Sequence, residues 1–303
     1  MTVAQTAARN DFLPPGLLEH LGGLELVART VVRGFQAGIH RSPLRGAGED
    51  FAKHRDYQQG DDVRYLDWKL YARTDRLYVR EFEERSNLQA YLVVDASASM
   101  EYAGAGGVSK LRYASYVAAA LAHLMVGAGD AVGLGAFGAE PRLLLAPRAR
   151  KGHLHDLLLN LERLRPAGAS GAAELLDRLG ASMRRGGRVI VVSDFLEDDG
   201  GETLAAAAGR LSARGDEVIA LRVLTPEETG EAAPDAGLFY DPEHPRRERP
   251  ATPRLDPGYA RRVQAYYDAL RDRLRERRVE YVPLSTAEPV EQALTAWIHR
   301  RRG

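Results

Sequence analysis

The alternation of strand-like and helix-like segments along most of this chain predicts an α/β fold, a doubly wound and mostly parallel sheet carrying an N-terminal helical and strand-rich extension. Three observations predict it. The runs AYLVVDAS at 90–97 and RVIVVSDF at 188–195 are short, apolar and closed by polar residues, as strands buried on both faces are. Helix-period stretches separate them from further short strands, which a parallel sheet needs for its crossovers. Before residue 88 the alternation is absent, so the chain divides into an extension at 1–87 and an α/β domain at 88–303.

The elements follow in order. Leu17, Leu18, Leu21, Leu24, Leu26, Val27, Val31 and Val32 recur at mostly helical spacing within 16–36, giving one helix or two broken at Gly22-Gly23. A glycine-punctuated loop at 38–48 leads into a densely charged stretch at 51–85, with strand-like pieces at Val63–Trp68 and Leu77–Phe82. After the first buried strand, Leu111, Ala114, Val117, Ala118, Leu121, Leu124 and Met125 mark one face of a helix stopped by Gly127. DAVGLGAF and RLLLA form a hairpin pair, and Leu154–Leu164 and Leu175–Met183 are helical. Beyond RVIVVSDF come a helix at Leu204–Ala213, the strand EVIALRVL, a helix at Tyr259–Arg277, the strand VEYVPL and a last helix at Val290–Arg300. Residues 225–257, with seven prolines, form a loop or small hairpin on the rim.

Bulk properties narrow the function classes. The 303 residues include 45% hydrophobic residues, enough for a sizeable core, and 42 basic residues balance 42 acidic ones. That balance gives no global pull toward nucleic acid or an anionic membrane. The absence of cysteine removes disulfides, thiolate zinc sites and cysteine nucleophiles. No apolar run serves as a signal peptide or approaches the ~20 residues of a membrane helix. A soluble cytoplasmic protein without a membrane span is expected.

In such sheets ligands gather beyond the C-terminal strand ends. There the chain reads Asp95-Ala96-Ser97-Ala98-Ser99, and Asp194 ends a second strand. Two carboxylates and two hydroxyls suit a hard cation such as Mg2+ with open water positions. The plainer alternative has Asp95 and the serines only capping the turn. The D-x-S-x-S loop at the end of a buried strand resembles the metal-ion-dependent adhesion site of von Willebrand factor A domains, whose fold is Rossmann-like. That resemblance implies Mg2+ (or Mn2+) with Ser97 and Ser99 as direct ligands and Asp95 and Asp194 behind them, acting through water. It also implies a threonine at a helix start between the two strands. Here PAGASGAAELL places Ala172 or Ala173 there, with Ser170 slightly early.

A second motif precedes the sheet. Arg55, Tyr57, Gly60, Asp61, Asp62, Arg64, Asp67, Trp68, Ala72 and Arg73, running on through Leu77, Val79, Arg80, Phe82 and Glu83, resemble the core of the domain-of-unknown-function 58 family, bacterial proteins with a von Willebrand factor A-like region. The resemblance implies a non-enzymatic interaction protein that acts with a MoxR-type AAA ATPase in the assembly or maturation of other proteins. Physically, Arg55, Tyr57, Asp61, Arg64, Asp67, Trp68 and Arg73 interleave charge with aromatic rings, which fits either an internal ion-pair network or a partner-docking surface.

Other chemistries fit less well. GAGGVSK at 104–110 lacks the Gly-Lys-Ser/Thr of a phosphate loop. A phosphatase nucleophile at Asp95 wants an acid two residues on, where Ser97 stands, and Gly168-Ala169-Ser170-Gly171 is no nucleophile elbow. His153 and His155, expected on an exposed helix start, have no partners at ligand spacing. The arginines at 246–249, 261–262, 271–278 and 300–302 are interspersed with acids for the most part, as on a solvated face, so no nucleic-acid partner is expected. A metal-dependent phosphate-ester hydrolase at the same strand ends stays open as the rival function, although it wants for a general base.

Overall fold

The computed structural model describes residues 23–38, 49–57, 66–84, 88–150, 152–231, 239–240, 248–249 and 258–301. Its centre is a six-stranded sheet of order β10-β7-β6-β3-β4-β5. The strands are β3 (Gln89–Asp95), β4 (Ala131–Phe137), β5 (Arg142–Arg148), β6 (Arg188–Ser193), β7 (Glu217–Leu224) and β10 (Glu280–Ser285). All neighbours are parallel except β5, which pairs antiparallel with β4 as the hairpin reading expects. β3 lies in the middle and buries every residue after Gln89, which explains its unbroken apolar run.

Helices cover both faces. On one side lie α3 (Lys110–Gly127), α4 (His153–Glu162) and α9 (Val290–Arg300), packed around a core that includes Leu92, Val94, Ile190 and Leu221. On the other lie α5 (Ala172–Ser182), α6 (Glu202–Ala213) and α8 (Tyr259–Glu276), around Tyr91, Val93, Val191 and Ala220. Odd and even positions of one strand thus feed the two cores, as the pleat requires.

The N-terminal helix α1 (Leu24–Gly38) adds a further layer by packing on α3, α4 and α9. It buries Leu24, Val27, Ala28, Val31 and Val32, and its first amide donates to Glu162 Oε1 at 2.7 Å. α3 is therefore enclosed between the sheet and α1. Sequence periodicity assigns it a single apolar face, but the structure buries almost its whole circumference, including Tyr113, Tyr116 and Ala119. The small alanines at 118–120 let the layers approach closely.

α3 starts where Ser109 Oγ accepts the Arg112 amide at 3.2 Å. Ser109→Ala leaves that donor without its cap and should lower stability by about 1 kcal/mol in urea denaturation.

The extension differs in part from its sequence reading. The piece at Leu77–Phe82 is a strand, β2 (Tyr78–Glu84), but its partner is β1 (Glu49–Asp56), a polar run without alternation that periodicity passes over. Of the piece expected as a strand at Val63–Trp68, Trp68 instead opens a helix, α2 (Trp68–Thr74), where Asp67 Oδ1 accepts the Leu70 amide and caps it. Leu66 keeps only a single bridge to Val79, and residues 58–65 lie outside the described residues. In the stretch 225–257 the short helix α7 (Pro226–Thr229) opens the segment, and β8 (Phe239–Tyr240) pairs with β9 (Glu248–Arg249). His153 corrects another expectation. It is buried, not on an exposed helix start, and its Nε2 lies 2.7 Å from the Val132 carbonyl. Among the described residues no helix is long and apolar enough to cross a membrane.

Candidate metal centre

The sheet order makes β3 and β6 neighbours, so the polar residues that close them meet at one edge. Asp95, Ser97, Ser99 and Asp194 are all buried there, Asp95 at 1% exposure. Asp95 Oδ1 accepts the Ser97 amide at 2.8 Å, and its Oδ2 accepts the Ser193 hydroxyl at 2.5 Å. The Ser97 and Ser99 hydroxyl oxygens lie 3.1 Å apart. Asp194 Oδ1 accepts the Leu196 amide at 3.1 Å, and the Tyr267 hydroxyl donates to the Asp194 carbonyl at 3.0 Å. Burial first, and then the nearby Asp194 charge, pushes the Asp95 carboxyl up to about 7, against hydrogen bonds from Ser193 and Ser97.

Backbone geometry holds the loops in place. Phe195, directly after Asp194, is buried in the left-handed region at φ 54°, with its amide bonded to Ser193 Oγ at 2.8 Å. A bulky residue there is strained, and such strain clusters at functional sites. The serine loop is clamped from the side. Ala98 donates to the Gly168 carbonyl, and Ala167 donates to the Ala96 carbonyl, both at 2.8 Å.

The structure brings the four expected ligand residues together and adds three that sequence reasoning missed. Ser193 orients Asp95. Lys110, the lysine of the failed phosphate-loop match, is 1% exposed and donates to Asp194 Oδ2 at 2.7 Å and to Glu228 Oε1 at 2.5 Å. No local signal marks Lys110, since Asp194 and Glu228 are 84 and 118 residues away in sequence. The position of Ser193 next to the noted Asp194 was the available clue to its role.

Do these residues fit a divalent cation? Among the described residues no group of three or more His, Asp or Glu side chains gathers at a common metal position, so such an ion depends on hydroxyl donors. Ser97 and Ser99 supply two, adjacent and buried, beside a carboxyl with little compensating charge. This donor set is all oxygen and suits a small hard ion. The third hydroxyl is missing. Buried Ala172 opens α5 behind Gly171, and the nearby Ser170 hydroxyl donates to Glu197 Oε1 at 2.6 Å. The residues fit a cation with fewer protein ligands than the adhesion-site pattern provides.

The described partner-surface candidates lie on or beside β1 and α2. The Tyr57 amide donates to the Leu77 carbonyl, and Asp67 caps α2. Trp68 is 61% exposed and edge-on to Tyr71 at 6.3 Å, with Arg73 exposed on the same short helix. Asp61, Arg64 and the Arg55 side chain lie outside the described residues.

The model of the family described as "Protein of unknown function DUF58" matches residues 53–262. The uncharacterized protein Rv1480 of Mycobacterium tuberculosis is 34% identical over 267 residues, covering 85% of this chain and 81% of that protein. Among solved structures, BatB from Bacteroides thetaiotaomicron is similar with a TM-score of 0.47 and 18% identity, over 71% of this chain and 98% of that one. A von Willebrand factor type A protein from Catenulispora acidiphila is similar with a TM-score of 0.40 and 13% identity, over 72% and 43% of the two chains. At these identities the structural likeness concerns the α/β fold alone.

Proposed function

This chain belongs to the DUF58 family of proteins, and from that premise we propose that it is a non-enzymatic interaction module with an adhesion-type cation site, acting in the cytoplasm with a MoxR-type AAA ATPase in the assembly or maturation of other proteins. The observation that carries the reading is the convergence of buried Ser97, Ser99 and Asp95 at the end of the central strand. Ser97 and Ser99 would hold Mg2+ or Mn2+, with Asp95 and Asp194 supplying negative charge behind them. Such an ion offers an open coordination position to a partner's carboxylate.

The chain's own residues prepare that position. Asp95 fixes the serine loop through the Ser97 amide, and Ser193 fixes Asp95. Leu196, 53% exposed beside Asp194, gives the rim an apolar contact. Trp68, with Tyr71 and Arg73, supplies a second exposed surface for the same partner, in line with aromatic and arginine anchors at interfaces. The rival hydrolase reading wants a free general base. Both Asp95 oxygens already accept hydrogen bonds, as do both Asp194 oxygens, which supports a binding role.

A purified MoxR-type AAA ATPase should co-elute with this protein in Mg2+, and the complex should disappear in EDTA or with Asp95→Ala. A complex indifferent to both would sink the cation-bridged reading. Phosphate-ester turnover that requires Mg2+ and Asp95 would instead establish the hydrolase.

A further inference from the structure

Lys110 has no part in the function just described, yet its placement is costly. It is the first residue of α3, so its charge sits at the positive end of the helix dipole. It is also fully buried, where an ammonium loses its hydration. Two carboxylates compensate that burial, since Asp194 Oδ2 and Glu228 Oε1 both accept from its Nζ, at 2.7 and 2.5 Å.

Its two partners are themselves anchored. Glu228 belongs to α7, whose start is closed by a capping box, with Glu228 Oε2 accepting the Thr225 amide at 2.9 Å. Its other oxygen takes Lys110. Asp194 is likewise committed at both oxygens, one to the Leu196 amide and one to Lys110. The preceding residue of α7 docks too, since Glu227 Oε1 accepts the Ala105 amide at 3.0 Å across the loop that leads to Lys110. A monovalent cation is thus built into the wall of the candidate metal centre, on the carboxylate that the adhesion-site pattern assigns to the metal.

We propose that Lys110 is the resident counter-cation of the strand-end site: it neutralises Asp194, the carboxylate behind the divalent ion, and keeps affinity for that ion low until a partner's carboxylate adds its own charge. The inference rests on the cation-site reading above and assigns Lys110 as the residue that sets its strength. Partner and divalent ion then reinforce each other's binding, as linkage requires.

Calorimetric titration of MnCl2 into the full chain and into Lys110→Met, Lys110→Gln, Asp194→Asn and Asp95→Asn tests this, with Tm recorded with and without Mn2+. Asp194→Asn, which leaves Lys110 less compensated beside the site, should bind Mn2+ more weakly than the unsubstituted chain, and Asp95→Asn should lose binding. Lys110→Met should have a lower Tm without metal, a larger Mn2+-dependent rise in Tm, and about tenfold tighter binding, because a like charge beside the ion is gone. A folded Lys110→Met that binds no more tightly than the unsubstituted chain overturns the inference and leaves the cation site standing. Lys110→Gln, which keeps a hydrogen-bond donor and removes the charge, decides the matter if Lys110→Met does not fold: a folded Lys110→Gln that binds no more tightly than the unsubstituted chain also overturns the inference. Absence of binding in both the unsubstituted chain and a folded Lys110→Met overturns the inference and the cation-site reading together.

Discussion

Gly168→Ala should destabilise the protein by about 2–4 kcal/mol and loosen the serine loop. Gly168 has φ +72°, which an alanine adopts at a cost of about 1–2 kcal/mol. An added Cβ would also stand 2.4 Å from Ala139 Cα and 2.7 Å from its nitrogen, so backbone must move. The movement reaches the candidate centre because the Gly168 carbonyl holds the Ala98 amide, between the two serines. Weaker cation binding should therefore accompany the loss of stability. Gly106→Ala is the control. Nothing lies within 4 Å of its Cβ position, and it should change stability by less than about 0.5 kcal/mol. Equilibrium urea denaturation of both variants measures the contrast.

The second large effect is expected at Phe137. It closes β4 opposite Asp95, its carbonyl accepts the Ala96 amide at 2.7 Å, and its ring is 1% exposed in the core under α5. Phe137→Ala removes a ring from a close-packed layer and should cost about 3–5 kcal/mol. Phe137→Leu keeps most of the volume and should cost clearly less. If the alanine variant unfolded at the same denaturant concentration as the parent, the packing described for this face would be wrong.

How much of this was legible in the sequence depends on the range of the interactions. β3 and β6 were readable because strands buried on both faces need uninterrupted apolar residues, and α9 because its pattern is local and complete. The serine loop was readable because Asp95, Ser97 and Ser99 are contiguous. β1 was not readable, since its sequence EDFAKHRD lacks any apolar alternation and only its pairing with β2 makes it a strand. α2 was not readable because it is short and its start depends on one capping aspartate, Asp67. Lys110 escaped because its meaning lies in Asp194 and Glu228, which the chain delivers from strand ends far along the sequence.

The same contrast explains why the motif alone overstates the adhesion-site likeness. A D-x-S-x-S loop specifies the hydroxyls and one carboxylate. It says nothing of whether a third hydroxyl arrives from α5 or whether a lysine already occupies the second carboxylate. Here alanine stands at the α5 start and Lys110 pairs with Asp194.

Calorimetric titration of Mg2+ and Mn2+ into the unsubstituted chain and Asp95→Ala reads the strand-end cation site itself. Saturable binding to the unsubstituted chain and none to a folded Asp95→Ala is the expected result. Equal behaviour of the two, whether both bind or neither does, would contradict it and move attention to the exposed Trp68–Arg73 surface.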